Sequence, residues 1–171
     1  MDSTSFLALA MACAPQVDAG TAQALVAVES GLNPHAIGVV GGTLNRQPRH
    51  RAEAVATAQA LLASGWNFSV GLAQINLRNF ERLGLDVRTA FEPCINLTAM
   101  QAVLAECFQR AAPSAGTTTS TRPTAQRALR QALSCYYSGN FTTGFEHGYV
   151  HRVAAMAARP FPTSLKLKEA P

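Results

Sequence analysis

One acidic residue, Glu29, lies near the end of an apolar stretch, in the segment Ala-Val-Glu-Ser-Gly-Leu-Asn-Pro. The turns before it are almost entirely apolar, so its carboxyl group is expected to be poorly hydrated, which disfavours the charged form. It also lies at the negative end of a predicted helix, which resists a further negative charge. Both effects raise the pKa of Glu29, as a general acid near neutral pH requires. The alternative is a surface glutamate near a helix end.

A second candidate for chemistry is the segment Ser-Val-Gly-Leu-Ala-Gln-Ile-Asn, residues 69–76. Gly71 allows a close approach of the backbone, and the amides of Gln74 and Asn76 flank an apolar isoleucine. Paired donor and acceptor amides suit the hydroxyl and acetamido groups of sugars. Taken alone, the segment is more typical of a junction between a loop and a helix with capping polar residues.

Residues 135–150 form a third candidate, an aromatic segment spaced by glycines. Tyr136, Tyr137 and Tyr149 accompany two phenylalanines, and such surfaces stack on sugar faces or on bases, although aromatic residues also pack protein cores. Folding could bring the Tyr149 hydroxyl to a carboxylate. Other chemistries are weakly indicated, because His147 and His151 lack a metal-ligand motif and no phosphate-binding glycine pattern is present. The basic run at 45–51 is interpreted as a solvated loop, with contact to a polyanion as the alternative.

The composition predicts one domain without a membrane span. The chain has 171 residues, of which 48% are hydrophobic and 14% charged, with a net charge of +4. No apolar run approaches the ~20 residues that cross a bilayer. The start lacks the positive leader of a secretory signal, so no export signal is evident and residues 4–13 are predicted to form a helix. The basic charge fits an ordinary domain or attraction to a polyanion.

Helical patterns predict the elements that position these residues. Asp18 caps a helix that runs to Ser30 and is ended by Gly31 and Pro34. Further helices are predicted at 50–63, 72–83, 94–111, 124–137 and 146–158, and loops at 36–48 and 113–123. The sequence shows no convincing strand pair, so the fold class is a single, mainly α domain over residues 1–158. Residues 159–171 are expected to be a disordered tail.

Four cysteines allow disulfides but do not define their pairing. Cys94 and Cys107 lie on one predicted helix roughly 20 Å apart along its axis, too far for a bond between them. Cys13 and Cys135 are then their possible partners, in either of two arrangements. Four buried free thiols are the alternative, and the sequence lacks the close cysteine pairs of a zinc site.

The ordered set of these segments resembles the soluble lytic transglycosylase family, over about residues 5–158. The family's first motif ends a helix with Glu-Ser, its second is Gly-Leu-x-Gln-Ile, its third is an Asn-Leu pair, and its last two contain tyrosines. The matching residues are Glu29, Ser30, Leu32, Pro34 and Ala36; Gly71, Leu72, Gln74 and Ile75; Asn96 and Leu97; Tyr136 and Gly139; and Tyr149, Val150 and Val153. The similarity is greatest to the small branch that accompanies type IV secretion and conjugation machines. Ala73 and Tyr137 stand where the family often has methionine and asparagine.

The resemblance implies a lysozyme-like fold with a cleft for peptidoglycan. It implies cleavage of the bond between N-acetylmuramic acid (MurNAc) and N-acetylglucosamine (GlcNAc) without water, leaving 1,6-anhydroMurNAc. Glu29 would be the catalytic acid and base, and the implied substrate-binding residues are Ser30, Gly71, Gln74, Asn76, Tyr136 and Tyr149.

The resemblance also implies a periplasmic or exported monomer, without a cofactor or metal. Its partners would be glycan strands and secretion-system components, and nucleic acid would not be among them. The alternatives are a hydrolytic muramidase on the same fold, a non-catalytic peptidoglycan-binding or assembly module, and a basic helical nucleic-acid binder, which would show steeply salt-dependent binding.

Overall fold

A computed structural model describes residues 1–112 and 122–159 of the chain. The helices are α1 (Ser3–Cys13), α2 (Ala19–Ser30), α3 (Arg51–Ala63), α4 (Pro93–Ala111), α5 (Arg122–Ser138), α6 (Thr143–Glu146) and α7 (Tyr149–Ala157). The strands are β1 (Ile37–Val39), β2 (Phe68–Val70) and β3 (Ile75–Asn76), and short 3₁₀ turns cover Leu77–Asn79, Glu81–Leu83 and Thr89–Phe91. The prediction of a mainly α fold is confirmed. The predicted loop at 113–123 lies largely, and the predicted tail at 159–171 almost entirely, outside the described residues.

The end of α2 is set by the residues that the sequence singled out. The Asp18 carboxylate accepts a hydrogen bond of 2.8 Å from the Thr21 amide at the start of the helix. Gly31 ends the helix with a φ of +62°, in the left-handed region that glycine adopts without strain. Glu29 therefore lies in the last turn of α2, as predicted.

The sequence prediction of a helix over 72–83 without a strand pair is wrong. The chain instead forms a three-stranded antiparallel sheet in the order β1-β2-β3. Ile37 pairs with Val70 across β1 and β2, and Val70 pairs with Ile75 across β2 and β3. Residues 71–74 turn the chain between β2 and β3, and the segment after β3 continues as two 3₁₀ turns.

One buried core joins the helices to this sheet. Phe6, Leu25, Phe68, Leu97 and Tyr149 are among its fully buried members, contributed by α1, α2, β2, α4 and α7. Burial of these side chains supplies the main driving force for folding. Among the described residues, none of the helices has the length and apolar character needed to cross a bilayer.

Two disulfides tie α4 to the rest of the domain. Cys13 at the end of α1 is bonded to Cys94, and Cys107 is bonded to Cys135 on α5. This is one of the two arrangements that the sequence left open, and it leaves none of the four cysteines as a free thiol. Both ends of α4 are thereby covalently attached to neighbouring helices.

Candidate active site

A pocket of about 630 Å³ lies between the end of α2, the sheet, the 3₁₀ turns after β3, α4 and α5. Its lining combines polar side chains with a few apolar ones. The polar and charged members of the lining include Glu29, Gln74, Asn76, Arg78, Arg82, Glu106, Arg110, Tyr136 and Tyr137. An acid at one helix end thus faces amides, tyrosines and guanidinium groups that the fold collects from distant parts of the chain.

Glu29 is a partly buried carboxyl group with a strongly shifted pKa. Burial raises the pKa of Glu29 from an ordinary 4.5 to about 7, against the opposing effects of the Tyr149 hydrogen bond and the positive charge of Arg152. The Tyr149 hydroxyl donates to Glu29 Oε1 at 2.5 Å. One carboxyl oxygen is therefore engaged by the protein, and the carboxyl group can hold its proton near neutral pH.

Two stacked tyrosines support this carboxyl group. Tyr149 is 1% exposed, so it lies behind Glu29 rather than in the lining of the pocket. The ring of Tyr137 stacks on that of Tyr149 with centroids 4.6 Å apart. The Tyr137 hydroxyl lies 3.2 Å from Nδ1 of His147. Tyr137, which stands where the family usually has asparagine, thus packs against the residue that holds Glu29.

The turn at 71–74 is fixed by Asn96, which is fully buried on α4. Its side-chain oxygen accepts from the Ala73 amide at 2.8 Å, and its Nδ2 donates to the carbonyls of Val70 at 3.0 Å and Ala90 at 2.8 Å. Gly71 has a φ of +80°, and a Cβ there would lie 2.4 Å from Nδ2 of Asn96. Only glycine fits this approach, so Gly71 shapes the turn and does not itself line the pocket.

Gln74 braces the same turn. Its Nε2 donates to the carbonyls of Ala36 at 3.1 Å and Gly71 at 2.9 Å. Its Oε1 lies where a Cβ on Gly38 would approach to 2.8 Å, so the strand can pass only because residue 38 is glycine. With both amide protons used by the backbone, the oxygen is the part of Gln74 left to accept a hydrogen bond.

Of the remaining predicted site residues, Tyr136 and Asn76 line the pocket and Ser30 does not. The Tyr136 hydroxyl donates to the Ala73 carbonyl at 2.7 Å, and burial raises the pKa of Tyr136 well above its ordinary value. Asn76 lines the pocket, donates to the Ser69 hydroxyl at 3.1 Å and accepts from the Arg78 amide. Ser30 instead donates to the Val26 carbonyl at 3.3 Å within α2 and is outside the pocket lining. The structure therefore brings Glu29, Gln74, Asn76 and Tyr136 together around one pocket, and places Ser30 apart.

Sequence reasoning missed the charged side chains on another part of the lining. Arg78, Arg82 and Arg110 face the pocket, together with Glu106. Arg82 Nη1 and Glu106 Oε2 form a salt bridge of 2.8 Å. The net charge of +4 was the only signal of these residues in the sequence. Among residues 1–112 and 122–159, no three His, Cys, Asp or Glu side chains form a group that could hold a metal ion.

Because its pKa is raised, Glu29 is expected to destabilise the folded state as the pH rises. The folded state keeps the proton up to about pH 7, whereas the unfolded chain releases it near 4.5. The stability that the neutral form of Glu29 gives the folded state is therefore fully present below pH 4.5, and it is lost as the pH rises through 7. Because the carboxyl group is only partly buried, we expect a loss of about 1–3 kcal/mol.

Urea unfolding of the wild type and of Glu29→Gln checks this expectation. Subtracting the two curves removes the other titrating groups. The variant should gain about 1–3 kcal/mol relative to the wild type between about pH 4 and about pH 8. A difference between the two proteins that is independent of pH would contradict the raised pKa.

Comparison with known proteins relates this site to a family. The family profile described as "Transglycosylase SLT domain" matches residues 6–155. The "Type IV secretion system protein virB1" of Brucella suis biovar 1 is 48% identical over 157 residues, which cover 89% of this chain and 63% of that protein. The "Protein virB1" of Agrobacterium fabrum is 36% identical over 152 residues, which cover 88% of this chain and 58% of that protein. The chain thus spans somewhat less than two thirds of the length of these curated relatives.

No solved structure gives a significant match to the chain. The profile nevertheless covers both the segment with Glu29 and the segment with Tyr149, the two residues that are joined by a hydrogen bond beside the pocket. The resemblance read from the ordered motifs is confirmed by this match and by the relatives. The chain belongs to the transglycosylase SLT domain family.

Proposed function

We propose that this domain is a peptidoglycan lytic transglycosylase and that the pocket is part of the substrate cleft of a lysozyme-like fold. It cleaves the MurNAc–GlcNAc bond without water and leaves 1,6-anhydroMurNAc ends. The observation that carries the proposal is the carboxyl group of Glu29, whose pKa of about 7 suits it to give and take a proton in a sugar-sized pocket. Membership of the family supports the same chemistry.

The reaction needs one group that acts first as an acid and then as a base. Protonated Glu29 donates its proton to the glycosidic oxygen as the bond from that oxygen to C1 of MurNAc breaks. The resulting carboxylate then removes the proton from the 6-hydroxyl of the same MurNAc, and O6 bonds to C1. Glu29 ends protonated again, so the cycle consumes no water. Since Tyr149 engages Oε1, the proton is carried on Oε2.

The second acid in the pocket is not equivalent to Glu29. Most glycosidases use two carboxyl groups, one as the acid and the other as a nucleophile or base. Glu106 lines the pocket, but its carboxylate is paired with Arg82 and its side chain is 51% exposed. We therefore assign it no role in the reaction. The acetamido group of MurNAc can stabilise the developing positive charge at C1 in place of a second carboxylate.

The polar lining supplies contacts for the sugar. Oε1 of Gln74 can accept hydrogen bonds from the sugar, and the amide of Asn76 can exchange them with its hydroxyl and acetamido groups. Tyr136 lines the same pocket. Gly71 and Tyr149 act indirectly, the former by shaping the turn and the latter by holding Glu29. Ser30 lies outside the lining, so its role is confined to the end of α2.

The relatives and the disulfides support a biological setting for the domain. A relative at 48% identity is named as a type IV secretion system protein, which supports local opening of the cell wall for such an apparatus and contact with its components. Two disulfides fit an oxidising compartment such as the periplasm. We propose that the domain acts there as a monomer.

Mass spectrometry of the soluble products tests the reaction. Purified peptidoglycan digested with the protein should release fragments with anhydro ends, each one water lighter than a reducing end. Reducing ends would identify a hydrolytic muramidase on the same scaffold. Binding to peptidoglycan without any released fragment would indicate a non-catalytic module.

Glu106→Gln separates the one-carboxylate reaction from the two-carboxylate one. The variant loses the salt bridge to Arg82, but an exposed pair of this kind contributes only about 0–1 kcal/mol. We expect the same anhydro products at a rate within about threefold of the wild type. A loss of about 10³-fold with Glu106→Gln would show that both acids act, as in a hydrolase.

A further inference from the structure

Three arginines form a cationic cluster on the pocket lining. Arg78 and Arg82 belong to the 3₁₀ turns that follow β3, and Arg110 lies one helical turn after Glu106 on α4. We call Arg78, Arg82 and Arg110 the arginine cluster. All three residues are exposed, and all three line the pocket.

Only one member of the arginine cluster is neutralised within the described part of the chain. Arg82 pairs with Glu106 at 2.8 Å. Arg110 contacts the Sγ of Cys135 at 3.5 Å and lies over the Phe141 ring, 5.5 Å from its centroid. A sulfur is a weak acceptor and an aromatic face does not remove the charge. The Arg78 guanidinium has no hydrogen-bond or ion-pair partner among residues 1–112 and 122–159.

Two uncompensated guanidinium groups therefore face a pocket whose other contacts suit neutral sugars. A guanidinium matches the two oxygens of a carboxylate through parallel hydrogen bonds, a geometry that a lysine cannot provide. Phe141 and Cys135 hold the Arg110 side chain in place, so less side-chain entropy is lost when it binds an anion. A neutral polysaccharide such as chitin offers these arginines no anionic group.

We propose that Arg78 and Arg110 bind a carboxylate carried by the lactyl branch of MurNAc, and that this contact makes the site select MurNAc-containing strands. The inference rests on the proposed function, because it takes peptidoglycan as the occupant of the pocket. Two groups on this branch can supply the carboxylate. It is the lactyl acid itself in a strand without peptides, or a carboxylate of the peptide stem in a substituted strand.

Binding to a catalytically silent variant tests the proposal without relying on cleavage. In a Glu29→Gln background, titration calorimetry compares three probes of equal length: a GlcNAc tetrasaccharide, the alternating GlcNAc–MurNAc tetrasaccharide with free lactyl acids, and the same sugar bearing tetrapeptide stems. We expect the carboxylated sugars to bind roughly tenfold more tightly than the neutral one, with an advantage that weakens as salt rises.

Arginine variants show whether the arginine cluster is responsible. Adding Arg78→Gln and Arg110→Gln should abolish the advantage of the carboxylated probes and leave binding of the GlcNAc tetrasaccharide unchanged. Replacing both by lysine should restore part of it, because the charge returns without the planar fork. Arg127→Gln removes an exposed arginine of α5 outside this pocket and should change nothing.

The outcomes are distinguishable. An advantage already present without peptides assigns the lactyl acid as ligand, and one that appears only with the stems assigns a peptide carboxylate. Equal binding of all three probes by the Glu29→Gln protein, or an equal loss for all three in the arginine variants, would overturn the proposal. Carboxylate-dependent binding together with no anhydro products from the wild type would refute the proposed reaction but not this site.

Discussion

Glu29→Gln is expected to fold normally and to cleave peptidoglycan about 10³-fold more slowly than the wild type, since a general acid contributes roughly 10²–10⁴-fold. The amide oxygen of glutamine can still accept the hydrogen bond from Tyr149, so the geometry at the end of α2 is kept. Glutamine cannot deliver a proton to the glycosidic oxygen or take one from the 6-hydroxyl. Both halves of the reaction are therefore lost with one substitution. The rate of release of anhydro-ended fragments measures the effect.

A matched control separates the chemistry from the change of charge. Glu146→Gln removes an exposed acid outside the pocket and should leave the rate unchanged. Glu29→Asp keeps a carboxyl group but withdraws it from both Tyr149 and the substrate, so it should be slow as well. If Glu29→Gln retained a rate within tenfold of the wild type, Glu29 would not be the acid.

Asn96→Ala is expected to have the largest effect on stability. The substitution leaves the Ala73 amide and the carbonyls of Val70 and Ala90 without their side-chain partner, and it opens a cavity in the core. Each buried backbone group left unpaired costs about 1–3 kcal/mol, so we expect a loss of at least about 3 kcal/mol. Domains of this size have only about 5–15 kcal/mol in total. Chemical denaturation at pH 7 measures the change.

The control for this prediction is Asn45→Ala, which removes the same side chain from an exposed loop position and should alter stability by less than about 0.5 kcal/mol. Asn96→Ala should also slow cleavage, because the turn that carries Gln74 loses its anchor. An unfolding free energy within about 1 kcal/mol of the wild type would show that water or a backbone shift satisfies the three groups.

The sequence was sufficient to predict the position of Glu29 at the end of α2 and most helices, because those signals are local. The apolar run before Glu29 and the stop at Gly31 and Pro34 lie within a dozen residues of one another. The raised pKa of Glu29 followed from the same run, since the structure attributes it first to burial. The capping role of Asp18 also depended only on neighbours in the chain.

The sheet was not predictable by the same reasoning. Strands of two or three residues are too short to show alternation, and Leu77, Phe80 and Leu83 recur every third residue in a way that suggested a helix face. A spacing of three also matches the 3₁₀ helix, which has three residues per turn. The chain uses that geometry in two consecutive turns after β3. Gln74 has a positive φ of +51°, which a glutamine in the sequence does not indicate.

Only some of the residues that form the site could be predicted from the sequence, because the site depends on contacts between distant segments. Tyr149 and Glu29 are 120 residues apart, and the possibility that Tyr149 meets a carboxylate could be raised without identifying the geometry. Arg82 and Glu106 are 24 residues apart, and Arg82 lies in a 3₁₀ turn where a helix over 72–83 is predicted. Nothing in the local pattern around Arg78 or Arg110 indicates that both face one pocket.

The disulfide between α1 and α4 makes the domain resistant to the separation of its parts by proteolysis. A single peptide-bond break between residues 13 and 94 leaves the two pieces joined through that bond. The enclosed segment carries Glu29, the whole sheet and the turn with Gln74, whereas Tyr136 and Tyr149 lie beyond it. A nicked molecule thus keeps both halves of the pocket at a high local concentration, and they can reassemble without a second encounter in solution.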